Sequence, residues 1–266
     1  MTELHFYKYS AAGNDYIVLD DQKLDQVMHP KLIRQWCDRH FGVGADGVLL
    51  LEPDSHDDYR MVYYNADGTR GEMCGNGARA LCAFAKRQGL ANQSGTFIAD
   101  DGKHGYEIMN DQIWIEILVT PTREDVMVEG ESAVLLNTGV PHLILPVGAV
   151  DKAPVVEQGY RLSRVSAQFP MGTNINFLEI GTDRKRSRVR TFERGVNAET
   201  LACGTGATAC SIYLADSAQA KYPIDLEFPG GVLTVNFKDN RFWLTGPVEL
   251  VFEGRLAMNS LRTQIN

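Results

Sequence analysis

Two short stretches of this sequence repeat each other: residues 74–80 read CGNGARA and residues 203–209 read CGTGATA. Each stretch opens a segment of helical character, predicted over about 76–88 and about 205–217, and each follows a strand-like run by about ten residues. A third helix is predicted over 30–40, with a proline at its start and a glycine after its end. Because the repeat has a period of about half the chain, it predicts two similar domains.

The remainder of the sequence consists mostly of short apolar and β-branched runs separated by Gly, Asp and Asn turns. Many strands with few helices favour an α/β (α+β) class, in which each domain is a strand-rich, barrel-like sheet wrapped around a central helix. A break near residues 119–121 predicts one domain at 1–119 together with about 253–266, and a second domain at 120–252.

The composition limits the classes of function. The 266 residues are 44% hydrophobic, which is enough to form a substantial core without disulfides or metals. Lys and Arg total 26 against 34 Asp and Glu, a net charge of −8, so we expect neither a nucleic-acid surface nor an electrostatic membrane patch. No apolar run approaches the ~18 residues that span a bilayer. With no signal-like start, we expect a cytoplasmic protein whose five cysteines are reduced.

The repeated cysteines occupy a chemically special position. A residue directly before a helix lies where unpaired backbone N–H groups and the positive end of the helix dipole meet. These groups stabilise a thiolate or hold a carboxylate, and the glycines that follow let a ligand approach the backbone. Two such sites predict a pair of thiols acting on one small anion. One thiol removes a proton from one face of an amino acid's α-carbon, and the other returns a proton to the opposite face.

The other cysteines are predicted to pack in the core: Cys37 on the first helix, and Cys82 and Cys210 well inside the later two. Their spacing matches no zinc pattern. Residues 42–47 and 204–209 spell dinucleotide fingerprints, but the first lacks the following helix and the second lacks the preceding strand. We therefore predict no metal and no cofactor. Arg79 is either a buried positioning group or a surface charge.

With these motifs in view, the chain resembles the diaminopimelate epimerases over most of its length. The two cysteine signatures carry the resemblance: NADG at 65–68 with MCGNG at 73–77, and ERG at 193–195 with ETLACGTG at 199–206. Less specific family features are GND at 13–15, TGVPH at 138–142, FP at 169–170 with Asn174, and PGG at 229–231.

The resemblance implies interconversion of LL- and meso-diaminopimelate without a cofactor, for lysine and peptidoglycan precursor biosynthesis. It also implies a homodimer and an active site in the cleft between the two domains. By the same resemblance, Cys74 and Cys203 form the acid/base pair, while His142 and Glu193 orient the substrate amine and support proton transfer. The substrate-binding residues that it implies are Gly75, Asn76, Gly204 and Thr205 for the reacting carboxylate, and Asn14, Asn65, Asn174 and Arg194 for the distal end.

Three features depart from the family pattern. Val140 stands where many members have Asn, Gly47 stands where many have Gln, and the loop 193–203 is one residue longer than the commonest form. Because one changed polar residue can alter substrate choice, a racemase of the same scaffold with another amino-acid substrate is an alternative. A non-catalytic carboxylate-binding protein and a thiol redox protein are further alternatives. For Asn65, the alternative to substrate binding is a turn-forming role.

Overall fold

The computed structural model describes residues 3–20, 28–164, 166, 168–182 and 186–257, and the fold is mixed α/β. The helices are α1 Pro30–Cys37, α2 Gly75–Arg87, α3 Val155–Leu162 and α4 Gly204–Asp216, with a 3-10 turn at Val150–Lys152. The strands are β1 Glu3–Ala11, β2 Asn14–Leu19, β3 Gly47–Glu52, β4 Tyr59–Asn65, β5 Arg70–Gly71, β6 Ser94–Ala99, β7 Gly102–Met109, β8 Gln112–Ile117, β9 Thr122–Val128, β10 Glu131–Asn137, β11 Pro141–Pro146, β12 Asn174–Glu179, β13 Ser187–Glu193, β14 Ala198–Thr200, β15 Ile224–Phe228, β16 Gly231–Lys238, β17 Arg241–Thr245 and β18 Glu249–Ala257.

The chain divides into two compact units. The first unit comprises Met1–Ile115 and Val248–Asn266, and the second comprises Glu116–Pro247. The domains predicted from the sequence are 1–119 with about 253–266, and 120–252. Their boundaries lie a few residues later in the chain than the boundaries of these units, and they stay a prediction. Residues 258–266 of the first predicted domain lie outside the described residues.

The two units have the same order of elements and the same strand pairings. In the first unit, β1 pairs with β2 antiparallel, β2 with β3 parallel, and β3 with β4 antiparallel. After α2, strand β6 pairs with β4 parallel and with β7 antiparallel. The second unit repeats these pairings with β10, β11, β12 and β13 before α4, and with β15 and β16 after it. The predicted strand-rich fold with two similar domains is therefore confirmed.

The sheet of the first unit is covered by helices on both faces. On β3, Val48 and Leu50 pack in one hydrophobic cluster with Ile33 of α1. Leu49 lies on the opposite face, where a Cβ at Gly77 of α2 would approach its Cδ2 to 3.3 Å. Successive side chains of a strand point to opposite faces of the sheet. Because helices cover both faces here, every side chain in the middle of β3 is buried, and the strand is an unbroken apolar run.

The helix α3 was not predicted, and the three-helix expectation was wrong. Glycine disfavours helix interiors, and Gly159 lies in the middle of α3. The structure shows why a glycine stands there: a Cβ at this position would lie 2.4 Å from Cβ and Cγ of Phe192. The close packing of α3 on β13 therefore outweighs the low helix propensity of Gly159. This packing also places Val155 of α3 in one hydrophobic core cluster with Phe192.

The helix predicted over 30–40 ends earlier, at Cys37. The two helices that follow the repeated cysteines begin one residue before their predicted starts, at Gly75 and Gly204. Among the residues that the structure describes, no helix has the length and apolarity needed to cross a membrane.

Candidate active site

The two repeated cysteines have the same local structure. Cys74 is the N-cap of α2 with φ −117° and ψ 121°, and Cys203 is the N-cap of α4 with φ −125° and ψ 117°. The first N–H groups of each helix have no carbonyl partner within the helix, and they lie beside the cysteine. Each unit thus presents one thiol together with a backbone site for an anion.

The sulfur of Cys74 contacts a buried phenol. Sγ lies 3.3 Å from Oη of Tyr16 on β2. Burial, and then the neighbouring Cys74, hold the pKa of Tyr16 well above its usual value, so the phenol stays neutral and can donate its proton to the sulfur. The ring of Tyr63 meets the ring of Tyr16 edge-on, with 6.2 Å between their centroids.

A chain of side-chain hydrogen bonds fixes the first turn of α2. Asn76 Nδ2 donates to Asn14 Oδ1 over 2.6 Å, and Arg79 Nη2 donates to Asn76 Oδ1 over 2.6 Å. At its far end, Asn14 Nδ2 donates to Asp46 Oδ2 over 3.1 Å. Both the nitrogen and the oxygen of the Asn76 side chain are therefore already hydrogen-bonded within the protein. The backbone N–H of Asn76, not its side chain, is suited to binding a ligand. Arg79 is completely buried, so it is not a surface charge.

The neighbouring part of the first unit contains Asn65 and Gly47. Asn65 Nδ2 donates to Thr69 Oγ1 over 3.1 Å, which ties this side chain into its own turn. Gly47 is the strand partner of both Tyr16 and Asn65. A Cβ on Gly47 would lie 2.6 Å from the carbonyl oxygen of Tyr64 and 2.7 Å from Cε2 of Tyr63. The backbone of β4 and an aromatic ring therefore both occupy the space that a side chain at Gly47 would need.

The sulfur of Cys203 accepts hydrogen bonds from its own helix. Gly206 N donates to Sγ over 3.4 Å, and Thr205 Oγ1 lies 3.5 Å from Sγ. Thr205 is held in turn by Thr138, whose Oγ1 donates to the carbonyl oxygen of Thr205 over 3.0 Å, and by Nε2 of His142, 3.0 Å from Thr205 Oγ1.

The proton of the His142 ring is fixed by Asn176. Asn176 Nδ2 donates to Leu143 O over 3.3 Å and lies 3.1 Å from His142 Nδ1, while its Oδ1 accepts from Thr191 Oγ1 over 2.9 Å. With the amide in this orientation, Nδ1 must accept, and the neutral ring carries its proton on Nε2. Burial, and then the charge of Arg194, lower the pKa of His142 to about 3, so the ring is neutral near pH 7. A hydrogen-bond chain thus runs from His142 Nε2 through the Thr205 hydroxyl to the sulfur of Cys203.

The other predicted residues of the second unit lie at adjoining strand ends. Asn174 is the parallel partner of His142, and its Oδ1 accepts from Arg194 N over 2.9 Å. Glu193 Oε1 accepts from Thr200 Oγ1 over 2.6 Å. The guanidinium of Arg194 donates to the carbonyl oxygens of residues 171 and 172. These contacts hold a carboxylate and a guanidinium close to the loop that leads to Cys203.

Within the first unit, the structure brings together Asn14, Cys74, Gly75 and Asn76, with Asn65 two strands away from Tyr16. Within the second, it brings together His142, Asn174, Glu193, Arg194, Cys203, Gly204 and Thr205. Sequence reasoning missed Tyr16 and Asn176. For Asn176 a signal exists, because Asn174 and Asn176 alternate with apolar residues in a strand that is buried on both faces. For Tyr16, an aromatic residue in a strand gives no such signal.

The remaining cysteines are core residues, as predicted. All five cysteines are free thiols, and Cys37, Cys82 and Cys210 are buried. Burial raises the pKa of Cys37 and of Cys82 to about 12, and it also raises the pKa of Cys210. These three thiols therefore stay protonated and unreactive near neutral pH. In the described part of the chain, no group of three His, Cys, Asp or Glu residues is arranged to hold a metal ion.

Known proteins share this fold of two similar strand-rich domains. A solved phenazine biosynthesis protein of the PhzF family from Bacillus anthracis superposes with a TM-score of 0.77 over 97% of this chain and 100% of its own, at 17% identity. At this identity, the likeness shows the fold alone.

Closer relatives define the family. The family model for diaminopimelate epimerase matches residues 6–121 and 134–251. The diaminopimelate epimerase of Aquifex aeolicus is 38% identical over 96% of this chain and 98% of its own length. That of Flavobacterium psychrophilum is 39% identical over 94% of this chain and 99% of its own length. The chain belongs to the diaminopimelate epimerase family and is an isomerase, which confirms the resemblance and the enzyme class predicted from the sequence.

Proposed function

We propose that the protein converts LL-diaminopimelate to the meso form without a cofactor, using Cys74 and Cys203 on opposite faces of the α-carbon. The observation that carries this proposal is the matched N-cap position of the two cysteines in two similar units. One thiolate takes the α-proton, and the opposite thiol gives its proton to the other face of the carbanion. The products are the inverted centre, a new thiol and a new thiolate, so protons balance.

The first unit would contribute a carboxylate site and part of the substrate grip. The backbone N–H groups after Cys74, at Gly75 and Asn76, suit a carboxylate and the negative charge that develops on it. Asn14 is fixed by Asn76 and would bind the distal end of the substrate. Asn65 would have to do so while it donates to Thr69.

The second unit would contribute the matching half. Gly204 and Thr205 offer the second set of helix N–H groups. With a pKa of about 3, His142 is not the base near neutral pH. It would instead supply a hydrogen bond, through Thr205, that steadies the charge on Cys203 as the proton moves.

Three further residues of the second unit would hold the substrate. Asn174, Glu193 and Arg194 lie at neighbouring strand ends. Glu193 would orient the substrate amine, and Arg194 would bind the distal carboxylate.

The test is hydrogen exchange in deuterated water. We expect LL-diaminopimelate to gain deuterium at one α-carbon as the meso form appears. Cys74→Ala and Cys203→Ala should each abolish interconversion, because each removes the acid or base on one face. Full turnover in either variant would refute the two-thiol mechanism. It would also favour the alternatives in which the thiols are incidental.

A second candidate function is racemisation of another amino acid on the same scaffold. The observation in its favour is Gly47, where the ring of Tyr63 and the carbonyl oxygen of Tyr64 leave no space for a side chain close to Tyr16. Exchange into a different amino acid in the same deuterium assay, with none into diaminopimelate, would establish this alternative.

We also propose that the enzyme acts in the cytoplasm, as a homodimer, in lysine and peptidoglycan precursor biosynthesis. Lysine dependence of a strain that lacks this chain, together with sedimentation of the purified protein, tests the pathway and the oligomeric state. Growth of that strain without added lysine would count against the pathway. A monomeric mass in sedimentation would count against the homodimer.

A further inference from the structure

The hydrogen-bond chain through Asn14 has a charged group at each end, and these two groups decide its direction. At one end, the guanidinium of Arg79 can only donate, and it donates to Asn76 Oδ1. At the other end, the carboxylate of Asp46 can only accept, and it accepts from Asn14 Nδ2. Between them, Asn76 Nδ2 donates to Asn14 Oδ1. Each of the two amides is therefore held in a single orientation.

Both carboxylate oxygens of Asp46 face hydrogen-bond donors. Oδ1 accepts from Arg39 Nη2 over 2.7 Å, while Oδ2 accepts from Asn14 Nδ2 over 3.1 Å and from Asp15 N over 3.2 Å. An asparagine at this position would turn its NH2 group toward one of these donors in either orientation. A carboxylate therefore satisfies every donor here and keeps Nδ2 of Asn14 turned toward it.

Asp46 is itself fixed by an ion-pair cluster, which consists of Lys8, Asp15, Arg39 and Asp46. Arg39 donates to the two oxygens of Asp15 over 2.9 and 2.8 Å, and Lys8 Nζ lies 2.7 Å from Asp15 Oδ2. Asp15 Oδ1 also accepts from Asp46 N over 3.1 Å. Burial alone would raise the pKa of Asp15, but the hydrogen bonds from Arg39 and Lys8 lower it to about 2. Asp15 therefore stays ionised far below neutral pH.

Arg39 is the exposed member of the ion-pair cluster. Its side chain is 56% exposed, whereas that of Lys8 is 7% exposed. Because exposed ion pairs contribute little to stability, stability alone does not explain a guanidinium that bridges two carboxylates. The bridge has a geometric consequence instead, since it holds the carboxylate of Asp46 at the place where Asn14 donates to it.

We propose that Asp46 and Arg39 are positioning residues for substrate binding: Arg39 holds the carboxylate of Asp46, and Asp46 holds the amide of Asn14. The inference rests on the proposed function, because it takes Asn14 as a residue that binds the distal end of the substrate. An amide that is fixed before the substrate arrives loses little conformational freedom on binding. Releasing this amide therefore weakens substrate binding and leaves the reaction at the α-carbon unaltered.

Steady-state kinetics of Asp46→Asn and Arg39→Gln with LL-diaminopimelate test the proposal. We expect KM to rise about tenfold in Asp46→Asn and about threefold in Arg39→Gln, with a much smaller change in the turnover number. The matched control is Arg188→Gln in the second unit. Arg188 also donates to both oxygens of an aspartate, Asp151, over 2.8 Å each, and its other ion-pair partners in the described part of the chain are glutamates outside the proposed site. Its KM should equal that of the wild type.

A second measurement tests the contact between residues 14 and 46 without any substrate. Asn14→Asp sets a carboxylate against that of Asp46, so we expect its melting temperature to fall by several degrees below the wild type. Adding Asp46→Asn places a donor opposite the new carboxylate and an oxygen opposite Arg39, which restores the hydrogen bond in the reverse direction. The double variant should therefore melt above Asn14→Asp. An equal or lower melting temperature would overturn the role given to Asp46.

Failure of this inference and failure of the proposed function give different results. Wild-type protein that exchanges no deuterium into diaminopimelate would refute the proposed function, while the melting temperatures would still report on the contact between Asn14 and Asp46. Wild-type protein that turns over, with an unchanged KM in Asp46→Asn and Arg39→Gln or an equal rise in Arg188→Gln, would refute the inference and leave the proposed function standing.

Discussion

The glycine two residues into each of the helices α2 and α4 offers a matched pair of substitutions, Gly206→Ala and Gly77→Ala. A Cβ at Gly206 would lie 2.6 Å from Asn176 Oδ1, 3.2 Å from Cys203 Cβ and 3.3 Å from Cys203 Sγ. A Cβ at Gly77 would meet its nearest atom at 3.3 Å, and that atom is the flexible Cδ2 of Leu49. The same chemical change is therefore crowded in one unit and accommodated in the other.

The expected energies follow from these distances. Replacing glycine by alanine inside a helix contributes about 1 kcal/mol of stability, and we expect Gly77→Ala to gain up to that amount. Forcing extra volume into a packed site costs about 1–3 kcal/mol. At Gly206 it also threatens the hydrogen bonds of Asn176 with Thr191 and of Gly206 with Cys203, each worth about 1 kcal/mol. We expect Gly206→Ala to lose about 1–3 kcal/mol overall.

Urea unfolding of the two variants beside the wild type measures the free energy of unfolding directly. The turnover number should fall further in Gly206→Ala than in Gly77→Ala, because Oδ1 of Asn176, which orients His142 beside Thr205 and Cys203, must move to admit the new methyl group. If both variants had the same stability and the same turnover, the close packing around Gly206 would not be a constraint on Cys203, and the reasoning would be refuted.

Three more predictions concern the second unit. Because burial lowers the pKa of His142 to about 3, below its value of about 6.5 in an unfolded chain, the unfolded state takes up this proton first. Stability should therefore fall as pH drops from about 6.5 toward 3, and urea titrations should show a shallower fall in His142→Gln. Asn176→Leu removes the partner that fixes the proton on Nε2, so we expect steady-state kinetics to show a turnover number lowered about tenfold with little change in KM. An unchanged turnover number would contradict that role. Gly159→Ala should lose about 1–3 kcal/mol of unfolding free energy, since its Cβ would overlap Phe192, and a neutral result in urea unfolding would show that α3 moves freely.

The part of the site that could be predicted from sequence is the part that depends on local structure. A cysteine followed by glycine, at the start of an apolar helix, becomes an N-cap wherever that helix is placed. The positions of Cys74 and Cys203 therefore needed no knowledge of the fold. The duplicated motif also predicted two similar domains, because a repeat of that length implies a repeated fold.

The features that could not be predicted depend on contacts between residues far apart in sequence. Tyr16 is 58 residues from the sulfur that it contacts, and Asn176 is 34 residues from the imidazole that it orients. Helix α3 was missed for the same reason, since Phe192 decides that Gly159 must be small. For Arg79, the sequence left burial and exposure as equal alternatives, and only the packing of strands around α2 decides between them.

The pairing of β1 with β18 makes the first unit discontinuous in the chain, with Glu3 opposite Ala257 in the register. The second unit, Glu116–Pro247, is one continuous segment. During synthesis the ribosome therefore completes the second unit before β18 has emerged, while β1 waits for a partner made some 250 residues later. The half that holds Cys203 is expected to gain its structure first. The half that holds Cys74, with its buried Arg79, would become complete only when β18 is in place.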